Sequence, residues 1–413
     1  MFLRRSRASA QTVWRWGNSG GSTLGSVSEL TKKPAPIPTL KGVDGRVLSV
    51  SNGSDHSAVV LDGKLLTFGS NKYQQLGRKI TGETDYTPAM TEVDIPALSV
   101  SCGGWHSISL HENGAVKSFG WGGSVLSGAG ALGQGSKSLV GVPTTLEFFE
   151  QLEDRVIQVA CGQQHSLFLT ESGAVFATGH GAYGILGTGD TSDELLPVEL
   201  TALDATLING EKIVKIACGG SFSAFVTDQG NLYVWGRNDS GQLGLGEESQ
   251  GDMHSAERYP RRIPFFETER TFIKDIACGE NHIVALAQNG ALYSWGDRTW
   301  LEPHVLSLPE ANGGLKGITK VVAGSKCSFA LSSSGVVYTW GMKSSGCLVL
   351  ENSERTVLTP VAIPPSMFGN EMVIDIAVYR QRCMAVTTDE EYLATSEDEA
   401  EHLRATVGSG RIS

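Results

Sequence analysis

The chain has 413 residues, of which 40% are apolar and 51 are glycine, enough for a substantial core, and no run approaches the 18 or more apolar residues of a membrane span. Its 33 basic side chains face 44 acidic ones, for a net charge of −11, so the overall field repels phosphate backbones and no general DNA binding is expected. The first eleven residues run against that balance, with Arg4, Arg5 and Arg7, two serines and no acidic residue before Glu29. That composition is a transit peptide's and points to the mitochondrion; a frayed basic tail or a minimal nuclear signal, hence a cytoplasmic or nuclear protein, are the alternatives.

From Val13 onward one local pattern repeats. An aromatic residue and a glycine, or a close variant, occur at Trp16-Gly17, Phe68-Gly69, Phe119-Gly120, Thr178-Gly179, Trp235-Gly236, Trp295-Gly296 and Trp340-Gly341, roughly fifty residues apart, a repeat-array period. Before each copy except the first, Gly is followed three positions later by His or a substitute. These are Gly53 with His56, Gly103 with His106, Gly162 with His165, Gly219 with Phe222, Gly279 with His282 and Gly324 with Cys327, and Tyr379 with Arg382 is a decayed seventh. Between the two patterns lie apolar runs broken at Asp62-Gly63, Asn113-Gly114, Ser172-Gly173, Gln229-Gly230, Asn289-Gly290 and Ser334-Gly335, the signature of hairpins whose turns need positive φ.

The patterns are out of phase at the ends: Trp16 has no Gly-x-x-His before it, and Arg382 no aromatic-Gly after it. Seven of each pair only if the ends meet, which predicts an all-β, seven-bladed β-propeller closed by pairing of N- and C-terminal strands. The expected organisation is a basic N-terminal tail or short transit peptide over 1–11, the propeller over 12–395 and a polar tail over 396–413.

The segment Ile216-Ala-Cys-Gly-Gly-Ser-Phe-Ser through Trp235-Gly236 to Gln242-Leu243-Gly244 resembles the repeat of the regulator of chromosome condensation family, and the resemblance covers about residues 12 to 393. It implies a propeller whose relatives include an exchange factor for the GTPase Ran, substrate-binding modules of giant ubiquitin ligases, a plant ultraviolet photoreceptor and mitochondrial proteins tied to ribosomes and RNA. Photoreception is disfavoured, because the Gly-Trp-Arg-His-Thr segments of that receptor have one counterpart here, Gly104-Trp105-His106-Ser107.

Chemistry is not legible in the repeats. Cys102, Cys161, Cys218 and Cys278 occupy one repeat position and so sit a blade apart, too far for disulfides; a small buried side chain beside a close backbone is their expected role. His56, His106, His165 and His282 recur in the same way and cannot converge on one metal ion; each is expected to fix a turn within its own blade. Gly179-His-Gly181-Ala-Tyr-Gly184, Gly17-Asn-Ser19-Gly-Gly21 and Gly130 to Ser138 mimic dinucleotide, nucleophile-elbow and phosphate-loop patterns, but each lacks the helix or register its chemistry needs.

No catalytic residue, cofactor or metal site is therefore expected. The departures from repetition are better guides: enlarged loops at 121–142 and 245–262, the latter holding Arg258, Arg261 and Arg262, and the tryptophans Trp105, Trp121 and Trp300 as candidate anchors for a partner. The expected function is a non-enzymatic interaction scaffold for a ribosomal or RNA-processing complex. The alternatives are guanine-nucleotide exchange on a small GTPase and a substrate-binding adaptor in ubiquitin ligation.

Overall fold

The structure, a computed structural model, describes residues 10–17, 32–124, 130–200, 208, 210–246, 256–307, 317–350 and 355–389. Both expected tails, most of the 245–255 segment and the Gly17 to Gly21 pattern lie largely outside these residues. Within them are seven four-stranded antiparallel sheets, the blades of an all-β propeller. Blade one begins at Val47, blade two at Ala97, three at Val156, four at Ile213, five at Ile273, six at Ile318 and seven at Met372. The first strands of consecutive blades contact one another, and that of blade seven contacts that of blade one.

Blade four shows how the sequence builds each unit. Its strands are Ile213–Cys218, Phe222–Thr227, Leu232–Arg237 and Ala256–Arg262. The second is buried at every position, because both of its faces meet neighbouring blades, so it reads as a continuous apolar run without alternation. Gly219 makes the first turn, its N–H donating to the Phe222 carbonyl over 2.8 Å. At the second turn only Asp62-Gly63 has both residues at positive φ, 48° and 76°. In the other five the glycine alone is left-handed, which fits longer hairpin loops closed by one αL residue.

The glycine after each aromatic has a stricter reason. All seven lie between 98° and 123° in φ, and a Cβ on Gly17 would stand 2.0 Å from the Gln381 carbonyl oxygen, on Gly341 2.3 Å from that of Lys326. Only glycine permits that approach of the third strand to the first turn.

The outer strands carry a device that the repeat pattern did not advertise. Each holds a proline: Pro36, Pro88, Pro143, Pro197, Pro260, Pro303 and Pro360. Proline cannot donate to a ladder, so it is tolerated on an edge strand and discourages further strand pairing there.

Blade seven is assembled from both ends of the chain. Its strand order is Ala35–Pro36, Gln11–Gly17, Arg382–Thr388, Met372–Tyr379, and the middle two pair in unbroken antiparallel register from Gln11 with Thr388 to Gly17 with Arg382. Trp14 Nε1 donates to Thr387 Oγ1 over 2.8 Å within this sheet.

Candidate interaction face

The repeat histidines act between blades, which corrects the expectation that each fixes its own turn. His56 Nε2 lies 2.8 Å from Ser107 Oγ, His106 Nε2 2.9 Å from Ser166 Oγ, His165 Nε2 2.9 Å from Ser223 Oγ and His282 Nε2 2.8 Å from Ser328 Oγ. In each case the serine belongs to the following blade. Ser107, Ser166 and Ser223 donate their own protons to the carbonyls of Gln75, Ala131 and Ile185. A hydroxyl has one proton to give, so these three histidines donate through Nε2–H, and their buried Nδ1 atoms, with no partner among the described residues to take a proton's bond, suit the neutral ring.

Burial enforces that state. It lowers His56 and His165 to about 3 and His106 and His282 to about 4, with the Arg382 charge adding to the effect at His56. The four rings point to four different serines and do not converge on a common point. Burial likewise pushes the Cys102 thiol up to about 11 and that of Cys161 up to about 12. Cys161 and Cys218 each direct sulfur at a carbonyl of the preceding blade, Ser101 and Ala160, over 3.4 Å. They are small packing groups beside close backbone.

The first turns and the loops joining third to fourth strands lie at one end of the strands, and on this face the candidate anchors separate into groups. Trp105, in the first turn of blade two, is half-buried and meets buried Trp121 edge-on with centroids 5.4 Å apart. The Trp121 N–H donates to the Trp105 carbonyl over 2.9 Å, which fixes the pair. Tyr73 of blade one, which the sequence reading passed over, lies 5.9 Å from Trp105, and Lys72 Nζ stands 5.6 Å from the Tyr73 ring. The result is an aromatic ledge across the seam of blades one and two.

Trp300 is elsewhere. It opens the fourth strand of blade five, Trp300–Leu306, and stacks on His304 at 4.4 Å with 7° between planes.

The arginine trio does not occupy a loop: Arg258, Arg261 and Arg262 lie on the outer strand Ala256–Arg262 of blade four. Two of the three are matched by carboxylates, Arg261 with Glu257 at 2.8 Å and Arg262 with Glu267 at 3.2 Å, which weakens the case for an anion-binding patch. Glu280, in the first turn of blade five, accepts from Ser325 Oγ over 2.5 Å and pairs with Arg380 of blade seven at 3.7 Å. Among the described residues no helix is long and apolar enough to cross a membrane.

A family model described as the RCC1-like domain matches residues 7–302. The ultraviolet-B receptor UVR8 of Arabidopsis thaliana is 30% identical over 358 residues, which cover 83% of this chain and 75% of the receptor. An RCC2 homolog of Danio rerio is 29% identical over 344 residues, 73% of this chain and 65% of that protein; the chain thus spans under two thirds of that relative's length. The crystal structure of Prp20p from Saccharomyces cerevisiae, described with its binding to Gsp1p and histones, superposes with a TM-score of 0.77 at 22% identity, over 96% of this chain and 95% of that one. At that identity the superposition speaks for the fold alone.

Proposed function

The chain belongs to the RCC1-like domain family, and from that premise we propose that it is a non-enzymatic scaffold that captures a protein partner on the face bearing Tyr73, Trp105 and Trp121. The observation that carries this reading is the aromatic ledge itself. Rigid, half-buried aromatics next to a cation, on a face built from loops, have the composition of a binding hot spot. The titratable groups that recur around the ring are buried, neutral and engaged in packing, so they support architecture and leave recognition to the loops.

Two finer readings accompany this one. The pairing of Gln11–Gly17 with Arg382–Thr388 is proposed as the latch that closes the ring. Residence in the mitochondrion, with a ribosomal or RNA-processing complex as partner, is proposed on the basic, acid-poor composition of residues 1–11; microscopy of the tagged full-length chain tests it.

The rival reading is nucleotide exchange on a small GTPase. An exchange factor must bind the nucleotide-free GTPase more tightly than the loaded one, since only differential affinity expels nucleotide. The deciding experiment is release of a fluorescent guanine nucleotide from Ran and from organellar GTPases, run beside affinity capture of partners by wild type and a Trp105→Ala variant. A flat release trace with Trp105-dependent capture is expected. Concentration-dependent acceleration of release would replace the scaffold with an exchange factor.

A further inference from the structure

In five blades the loop after the third strand drives a leucine into the gap beside the following blade: Leu76, Leu132, Leu186, Leu243 and Leu348, none more than 2% exposed. Carbonyls beside that leucine accept hydrogen bonds from the neighbour. Ile185 O receives Trp235 Nε1 over 2.9 Å, Gln242 O receives Trp295 Nε1 over 3.1 Å and Cys347 O receives Trp16 Nε1 over 2.8 Å. In three of the five loops a glycine follows the leucine and lies on the neighbour's ring: a Cβ on Gly244 would stand 2.5 Å from Trp295 Nε1, on Gly187 2.8 Å from Trp235 Nε1 and on Gly77 2.7 Å from the Phe119 ring. The loop is a plug, and each plug satisfies the next blade.

Blade five has no plug. Gly296 is followed by Asp297, Arg298 and Thr299, and the outer strand begins at once with Trp300. The consequence falls on blade six. Trp340 is 3% exposed and its indole N–H has no acceptor among the described residues. Ser328, whose counterparts Ser107, Ser166 and Ser223 donate to plug carbonyls, has among the described residues only its contact with His282. Trp340, Ser328 and Ser294 line a cavity of about 70 Å³, open to solvent, between blades five and six, with Trp300 and Val357 as apolar walls. A buried donor without a partner is costly, and here it faces a space that five other seams fill from within.

We propose that this cavity is a docking socket for a leucine–glycine turn presented by a partner protein, which supplies in trans the plug that blade five lacks. The proposal deepens the scaffold reading and rests on it. The chemistry of the occupant is written in the chain's own plugs: an apolar side chain of leucine size, a carbonyl directed at Trp340 Nε1 and a glycine lying against the indole. Such a turn needs no larger fold to hold its shape. In blade four Asn238 Oδ1 accepts from the Leu243 N–H over 2.9 Å, and Gln242 Oε1 from the Ser240 N–H over 2.8 Å. Stacking on His304 keeps the Trp300 ring along its own strand as a wall of the socket.

The test uses the full chain and a capped heptapeptide of sequence Asn-Asp-Ser-Gly-Gln-Leu-Gly, the blade-four plug. With tryptophan indoles labelled for NMR, the Trp340 N–H resonance is expected to shift saturably, with a Kd on the order of 0.1 to 1 mM for so short a ligand, while those of Trp105 and Trp121 stay fixed. A peptide with Asp for Leu is expected to give no shift. Trp340→Phe, followed on the Trp300 resonance, is expected to weaken binding about fivefold to tenfold, the worth of one hydrogen bond. Should that variant fail to fold, a second protein decides: replacing Asp297–Thr299 by the heptapeptide sequence is expected to raise the Tm and abolish peptide binding. No saturable shift, equal binding of the Asp peptide, or undiminished binding to the grafted protein would overturn the socket. Trp105-dependent capture that persisted beside such a failure would leave the scaffold reading standing.

Discussion

At the seam of blades two and three the buried contact heading the second strands is polar, His106 on Ser166; at the seam of blades four and five it is apolar, Phe222 beside Ile283 in one core cluster. Both partners have changed together, histidine to phenylalanine and serine to isoleucine. The seam of blades six and seven repeats the lesson with sulfur, because Cys327 and Cys383 fill the two positions and pack with Cys347. These seams are thus matched pairs whose fit, more than their polarity, holds neighbouring blades together. An unpaired buried polar group loses more than a satisfied one gains.

The harshest break in a seam is removal of a blade's inner half. Deleting residues 372–413 strips Met372–Tyr379 and Arg382–Thr388 from blade seven and leaves Gln11–Gly17 without its partner. It also exposes the apolar faces of Trp14, Trp16 and Phe329, now buried in one cluster. Cooperative unfolding should be lost or the Tm lowered by more than about 10 °C, whereas deletion of 396–413 alone should leave the melt unchanged. Calorimetry distinguishes the two, and equal melts for both truncations would refute the latch.

Acid should separate polar seams from apolar ones. The four seam histidines have folded values of about 3 to 4, below the ordinary value near 6.5. Each therefore contributes its full stability above pH 6.5 and loses it as pH falls toward the folded value, because the unfolded chain takes up the proton first. The loss is about 1.4 kcal/mol per pH unit for each histidine. Four together remove about 5 kcal/mol per unit, comparable to a whole domain's stability, so unfolding followed by circular dichroism should centre near pH ~5. Converting the blade two–three seam to the apolar pair, His106→Phe with Ser166→Ile, should move that midpoint to lower pH. A midpoint unmoved by the exchange would show that the histidines do not govern acid stability.

The apolar seam can be crossed in the other direction. Phe222→His alone sets an imidazole against Ile283 with nothing to accept its proton and should cost about 2–4 kcal/mol. Adding Ile283→Ser should recover more than half of that loss in urea melts. If the second change adds its own penalty instead, the seam is held by shape alone.

The fold was legible because its determinants are periodic: glycines forced by close backbone, hairpin turns, and a phase offset that told of ends meeting. The seam pairs were legible too, and were missed, because the residue after each histidine or its substitute reads Ser57, Ser107, Ser166, Ser223, Ile283, Ser328 and Cys383 and, at Ile283 and Cys383, changes in step with the preceding blade's Phe222 and Cys327. The missing plug is likewise a gap in a series of loop leucines, Leu76, Leu132, Leu186, Leu243 and Leu348, four of them followed by glycine. What the repeat could not reveal is which aromatics meet. Tyr73 and Trp105 come from different blades and touch only because loops of unequal length fold over one seam. The arginines were misplaced because Pro260 and the run around it look like a loop, yet proline is the rule on these outer strands.

The smallest structural change, with the sharpest effect on recognition, concerns the ledge. Trp105 is half-buried while Trp121, against which it packs, is 8% exposed. Truncating Trp121 removes a ring from a filled space and should cost about 3–5 kcal/mol of stability. Trp105→Ala leaves a partner-facing gap and should cost far less, about 1 kcal/mol, while weakening capture of the native partner by about thirtyfold, the fold equivalent of a 2 kcal/mol hot spot. Melting curves and binding isotherms on the same preparations read both quantities. A Trp105→Ala protein that melts as early as Trp121→Ala, or that binds as well as wild type, would make the ledge a piece of the scaffold and move the partner's footprint elsewhere on the ring.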